Sequence, residues 1–265
     1  MLPKPPYPEY RPRSFRSLVQ SLGRSDAAVE WIEVAVRHLA SLSIKHGPAY
    51  ALAVAGEAGI RVTAFDADKL RANTAQFQIL SVYYEFDRFL RGFRREHPRQ
   101  VRERRGLESQ FSYVIDAFNV PRAAFEELEY DALVYYTEVR HAIVHPDRRT
   151  APPVPSKHLT VEIAASSYAG LSAPKLFEAI GFDDFVLFSR AVKALARTLC
   201  VAASPTDEEI VDCLALDLAI GLMSGALKQN RPRLKNKLAA KINSLYGLQN
   251  RAGALADLLI DRRAH

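Results

Sequence analysis

Cysteine is scarce in this chain: its 265 residues include two, Cys200 and Cys213. Two thiols exclude a four-cysteine zinc site, and with no histidine near them they exclude a mixed Cys/His site as well. Both lie in apolar, helical-looking stretches. They read as buried free thiols of a reducing compartment, with a disulfide between them left open by sequence. No apolar run approaches the roughly 20 residues that a bilayer span needs. Residues 1–16 are rich in proline and arginine and lack the apolar core of a secretory signal. These absences give the expectation of a cytoplasmic protein with no membrane contact. The composition of a disordered chain is missing too, since 48% of residues are hydrophobic and 25% charged. The length suits one large domain or two small ones. No internal repeat is found.

Acidic residues are absent from residues 218–256, which carry seven Lys and Arg. Residues 88–105 hold eight arginines against two glutamates. Two such stretches in a chain of net charge +6 point to a polyanionic partner, with nucleic acid first. The alternative is a pair of solvated helix faces.

What is present is mostly helical periodicity. Pro3, Pro5, Pro6, Pro8 and Pro12 mark residues 2–12 as extended rather than packed, within a proline- and arginine-rich arm over residues 1–24. Ser25 and Asp26 are expected to open the first helix, with Val29, Ile32, Val36, Leu39 and Leu42 inward and Gly47-Pro48 as its end. A short helix over 49–57 is expected to break at Gly59. A long one over 66–93 has Leu70, Phe77, Leu80, Tyr83, Tyr84, Leu90 and Phe93 as core candidates, and His97-Pro98 stops it. Residues 107–118 form a further amphipathic helix. Asn119 and Pro121 are expected to start the next, with Phe125, Leu128, Ala132, Tyr135, Val139 and Ile143 at three- and four-residue steps up to Pro146. Residues 147–157 are a proline-containing loop. Alternation of Leu159, Val161 and Ile163 suggests a short extended segment. Helices resume over 174–203, and Thr206 with Asp207 and Glu208 opens another. Arg231-Pro232 and Gly247 divide the basic C-terminal extension, residues 204–265. The fold class is all-α, an antiparallel helical bundle with additional N- and C-terminal helices.

One stretch carries chemistry: Glu138-Val139-Arg140-His141-Ala142-Ile143-Val144-His145-Pro146-Asp147. On an ideal helix Arg140 and His145 point about 140° apart. The proline after His145 removes that residue from helical geometry and lets it turn back. Histidine moves protons near neutral pH, and arginine holds a phosphate oxygen bidentately. The alternative is a structural arginine and a histidine that favours a helix C-terminus.

At these residues the sequence resembles the HEPN domain family. Its signature is an arginine, a polar residue (commonly asparagine, here His141), usually three further residues and a histidine. Phe86-Asp87-Arg88-Phe89-Leu90 is similar to the acidic, aromatic and leucine pattern of an earlier helix in that family. Residues 146–157 match its variable loop and residues 182–202 its closing helix. The resemblance covers residues 66–203 best, within a bundle over 25–203. It implies a metal-independent endoribonuclease without cofactors, often a toxin or antiviral-defence effector, acting as a homodimer with one composite site. Carried over, His145 is the general acid or base at the ribose 2′-hydroxyl, and Arg140 binds the scissile phosphate. His141 orients the pair or supplies the second proton-transfer group, and Asp87 holds Arg140 or a histidine. The alternative for Asp87 is a helical pair with Arg91. A non-catalytic dimerisation or binding module on the same fold is the alternative for the whole. Products would carry cyclic 2′,3′-phosphate and 5′-hydroxyl ends, and DNA would be spared. Arg88, Arg91 and Arg95 on one helix, and Arg231, Arg233 and Lys235 near the C-terminus, are the expected RNA contacts. An antitoxin or sensor protein is a further expected partner. Asp147 stands where a subset of HEPN toxins carries a tyrosine that a nucleotidyltransferase modifies, so neutralisation by that route is not expected.

Overall fold

Glycine, proline and hydroxyl side chains set most of the helix ends. A computed structural model describes residues 8–47, 49–99, 110–147, 151–166, 168–221 and 231–262. Among the described residues it contains α-helices, two 3-10 turns and no strand, so the fold is all-α. The helices are α1 (Arg13–His46), α2 (Tyr50–Glu57), α3 (Ala67–Glu96), α4 (Gln110–Ala117), α5 (Glu127–Val144), α6 (Lys157–Ala165), α7 (Phe182–Ala202), α8 (Asp207–Gly221), α9 (Arg231–Tyr246) and α10 (Ala252–Arg262). None of the described helices is long and apolar enough to cross a membrane.

Gly47, Gly59 and Gly247 end α1, α2 and α9 with positive φ. At the start of α8, Thr206 Oγ1 accepts the Glu209 N–H at 3.2 Å and Glu209 Oε2 accepts the Thr206 N–H at 3.0 Å. This reciprocal pair satisfies two donors that the first turn leaves open.

Four local expectations are corrected. Helix α1 begins at Arg13, not at Ser25. Phe15, Leu18 and Leu22 are buried at helical spacing and carry the helix straight through Gly23. Of the expected arm, residues 1–7 lie outside the described residues, and the part that follows is packed: Pro8, Tyr10 and Pro12 are buried, and the Arg11 N–H donates to the Tyr246 carbonyl at 2.8 Å. Residues 157–165 are helical rather than extended. Ser156 caps that helix through Leu159 N–H, and the four-residue step from Leu159 to Ile163 is the buried one, with Val161 exposed. Pro121 opens a 3-10 turn (Arg122–Ala124), and α5 starts only at Glu127. The expected starts at residues 107–109 lie outside the described residues.

Core assignments on α3 also change. Leu90 and Phe93 are buried, but Leu70, Phe77 and Tyr84 are 42%, 70% and 63% exposed. Their seven-residue spacing places them on one stripe, away from the face of Ala75, Ile79, Val82, Phe86 and Phe89.

The chain divides into two compact units. Unit 1 is Met1–Leu2, Gln20–Glu85 and Glu126–Ala194, and unit 2 is Pro3–Val19, Phe86–Phe125 and Leu195–His265. The division falls within α1, α3 and α7.

Unit 1 joins α1 to α3 through Glu33, which is buried beneath Arg71 and Arg37. Burial pushes its carboxyl up, but the two guanidiniums outweigh that and hold it below the ordinary carboxylate range. Asp26 of α1 receives Ser189 Oγ at 2.8 Å and Lys193 Nζ, both from α7. The Tyr136 ring of α5 packs on Phe188 with centroids 4.9 Å apart.

Unit 2 is built on aromatic contacts among Tyr10, Phe89, Phe93, His97 and Phe118. Gly92 of α3 admits Ser14 of α1: a Cβ there would lie 2.7 Å from Ser14 Cβ. Cys200 and Cys213 are free thiols, the first buried and the second half-buried. Helices α8, α9 and α10 are tied by Arg251 to Asp207, Arg262 to Asp212, Arg231 to Asp261 and Lys235 to Asp257.

His97 is 1% exposed, with Nε2 2.7 Å from the Ala203 carbonyl and Nδ1 accepting the Arg99 N–H at 3.2 Å. These partners fix a neutral ring protonated at Nε2. Burial first of all lowers its pKa to about 4. Between that value and about 6.5, the unfolded chain binds the proton and the folded chain does not. Acidification through this window therefore favours unfolding: the contribution is complete above about pH 6.5 and is lost by about pH 4, a fall of about 3 kcal/mol. Denaturant titrations from pH 7 to 4 are expected to show this loss in the wild type. They should show a flatter profile in His97→Gln, which keeps a donor for Ala203 and does not titrate.

Candidate functional site at the end of helix α5

The apolar face of α5 fixes where its motif points. Ala132, Tyr135, Tyr136 and Val139 are buried, so Arg140 emerges half-buried at the margin of that face and His141 is exposed. The Arg140 guanidinium carbon lies 5.2 Å from the centroid of the Tyr83 ring of α3. An arginine over an aromatic face is attracted by the ring and loses rotamer freedom while its N–H groups stay available at the edge. His141 is engaged within its own surroundings.

His145 is the residue after the last helical one. Its φ of −127° and ψ of 62° are not helical, although its N–H still donates to the His141 carbonyl at 2.9 Å. The pre-proline position has thus turned the chain out of the helix, as the sequence implies. No hydrogen bond joins Arg140 to His145 among the described residues. The motif thus presents one cation stacked on an aromatic ring, one half-buried histidine and one exposed histidine within a turn and a half of chain.

Asp87 lies in the other compact unit, and its carboxylate is bound by Arg91 at 2.6 Å. Arg88 donates to Ser17 Oγ at 3.1 Å, and Arg95 Nε contacts the Arg91 carbonyl at 3.3 Å. In the C-terminal region Arg231 is paired with Asp261 and Lys235 with Asp257, each at 2.5 Å, while Arg233 is exposed. The motif residues and the basic residues therefore fall in different units.

Three features were not anticipated. Tyr83 supports Arg140 rather than filling a core. His158 of α6 lies 3.1 Å from Asp131 and 3.8 Å from Glu127, both on α5. Asp184 is a fully buried carboxylate that accepts Tyr136 Oη, Lys175 N–H and Gly181 N–H, each at 2.9 Å. Burial raises its pKa above the ordinary value despite those donors. A helix start such as Gly181 to Asp184 is the one signal that marks Asp184 in sequence. Nothing local marks the other two. Among the described residues no cluster of His, Cys, Asp and Glu has the arrangement of a metal site. No protein-family model, curated protein or solved structure matches this chain.

Proposed function

We propose that the chain is a metal-independent endoribonuclease of HEPN type, acting as a toxin or antiviral-defence effector. The observation that carries this reading is the end of α5: Arg140 held on Tyr83, beside a histidine turned out of the helix by the following proline. In this reading Arg140 binds a non-bridging oxygen of the scissile phosphate and stabilises charge as it builds. One histidine, His145, takes the proton from the ribose 2′-hydroxyl as its oxygen forms a bond to phosphorus. The bond from phosphorus to the 5′-oxygen breaks, and His141, from the same or a second copy, gives that oxygen a proton. The products are a cyclic 2′,3′-phosphate and a 5′-hydroxyl, with no change of oxidation state.

The test is cleavage of single-stranded RNA in excess EDTA, with end-group analysis. Cleavage by the wild type that leaves cyclic phosphate supports the reading, and metal-dependent or absent cleavage overturns it. A second reading, a non-catalytic module on the same all-helical fold, is favoured by the Asp87–Arg91 pair. That pair leaves Asp87 committed elsewhere than to Arg140.

A second copy is part of the first reading, and the stripe of Leu70, Phe77 and Tyr84 on α3 is the surface that suits it. Burying two such aromatic side chains contributes about 2–3 kcal/mol each. Phe77→Glu with Tyr84→Glu is expected to halve the mass seen by light scattering at micromolar concentration, with helical content unchanged. A mass unaffected by both substitutions would count against this surface.

A further inference from the structure

The two basic stretches are far apart in sequence, yet both belong to unit 2. Unit 2 contains 23 Lys and Arg against 13 Asp and Glu, a net of +10, whereas unit 1 contains 13 against 17, a net of −4. The excess is thus concentrated in one compact unit.

Within unit 2 the cations are sorted by face. Arg233, Lys237 and Lys241 follow one another at four-residue steps along α9 and are all exposed. Ser244 lies on the same face. Arg231 and Lys235 sit roughly 120–160° around the helix, where the acids of α10 meet them. The first three have no ion-pair partner among the described residues. The ridge does not stop at the end of α9. Arg16 of α1 donates to the Ser244 carbonyl there. Arg13 shares its exposed face, and the neighbouring Ser17 accepts from Arg88 of α3. Two acids of α3 in this unit are engaged: Asp87 with Arg91, and Glu96 with the Ser14 N–H at 2.8 Å.

The geometry points to a phosphate-binding track: Arg233, Lys237 and Lys241 of α9, continued by Arg16 and Arg13 of α1 and by Arg88 of α3, bind the phosphodiester backbone of a nucleic-acid strand. The track is continuous across three helices, exposed, and uncompensated on α9. Cations spaced about 6 Å apart along a helix form a linear array that suits a linear polyanion. Neutralising such a backbone releases counterions, so binding must weaken steeply with salt. None of these six residues is aromatic, so the track offers charge to phosphates and no stacking platform, and it reads backbone rather than sequence. This inference does not require the cleavage reading, because the track lies in unit 2 and the motif in unit 1.

The test uses the full chain carrying His145→Ala, so that RNA stays intact whether or not the wild type cleaves. Fluorescence anisotropy follows binding of a labelled 20-nucleotide single-stranded RNA, and of DNA of the same sequence, from 50 to 300 mM salt. Six contacts give a slope of log K against log salt of about −4. Arg233→Gln/Lys237→Gln/Lys241→Gln is expected to weaken binding at least tenfold at 100 mM salt and to make the slope shallower by about 2. Arg13→Gln/Arg88→Gln should weaken it in the same direction. Arg231→Gln/Lys235→Gln removes charge from the other face and should leave the slope unchanged. RNA and DNA should bind within a few-fold of each other. The inference is overturned if neither strand binds at 100 mM salt, as for a surface made for an acidic protein. It is also overturned if the Arg231/Lys235 variant loses as much as the ridge variant, since net charge alone would then explain binding. RNA bound far more tightly than DNA, with the ridge variant unaffected, would overturn it too.

Discussion

Arg140→Ala and His145→Ala are each expected to lower metal-free RNA cleavage by about 10²–10⁴-fold, the range for losing a positioned proton-transfer group or a donor to developing charge. The two losses have different signatures. His145→Ala removes the group that takes the 2′-hydroxyl proton, so added imidazole should restore part of its rate. Arg140→Ala removes the phosphate donor, so added imidazole should restore nothing. Arg140→Lys tests the geometry further. Lysine keeps the charge, but not the bidentate fork or the planar stacking on Tyr83, so it should restore little. Tyr83→Leu should lower activity less than Arg140→Ala, because it loosens the guanidinium without removing it. Wild-type rates in both alanine variants would place the active groups elsewhere and leave the motif a structural helix end.

Asp184→Ala is expected to destabilise the fold by about 3 kcal/mol, measured by urea denaturation at pH 7. The carboxylate accepts Tyr136 Oη and two backbone N–H groups in a site that excludes water. Removing one partner of a buried charged network leaves the others desolvated and unpaired. Asp184→Asn keeps an acceptor and the volume and should cost less than alanine. The pH dependence has the opposite sign to that of His97. A carboxyl whose folded pKa is raised binds its proton more tightly in the folded state. Its part of the stability is therefore present at low pH and is lost as pH rises through the shifted value. Substituting Asp184 should consequently cost more at pH 4 than at pH 7. An equal cost at both would show that burial does not control its titration.

What was legible in the sequence was local. Gly47, Gly59 and Gly247 stop helices where a positive φ is needed, and Thr206 opens α8, because each of these acts within a few residues of itself. The departure of His145 from helical geometry follows from its own neighbour, Pro146. What was not legible depends on partners far along the chain. The alternation of Leu159, Val161 and Ile163 fits a strand as well as a helix, and the burial of Leu159 and Ile163 together with the Ser156 cap decides it. Leu70, Phe77 and Tyr84 satisfy helical periodicity as well as the true core does, since apolar residues occupy two faces of α3. Residues 218–256 contain no acid, yet Asp257 and Asp261 lie just beyond and fold back on Lys235 and Arg231. A count along the chain therefore overstates the free charge on one face of α9 and hides its concentration on the other. Of the candidate site, Arg140 and His145 were legible as residue types, but the Tyr83 ring beneath Arg140 was not.

The way the two units share the chain bears on how the molecule is made. Unit 2 takes its first stretch from Pro3–Val19 and its last from Leu195–His265. Tyr10 packs against Tyr246, and Gly247 has no side chain because a Cβ there would lie 2.6 Å from the Arg11 carbonyl oxygen. A ribosome adding about 5–20 residues per second spends on the order of 10 s or more between those two stretches. During that time the aromatic side of α1 has no C-terminal cover, while every segment of unit 1 has already emerged or is emerging. Unit 1 is therefore the part able to fold first during synthesis, and unit 2 closes only once α9 and α10 have been made. A chain stopped before α9 would display Tyr10 and its surroundings to chaperones and proteases, so premature termination would be read as a binding signal by the quality-control machinery.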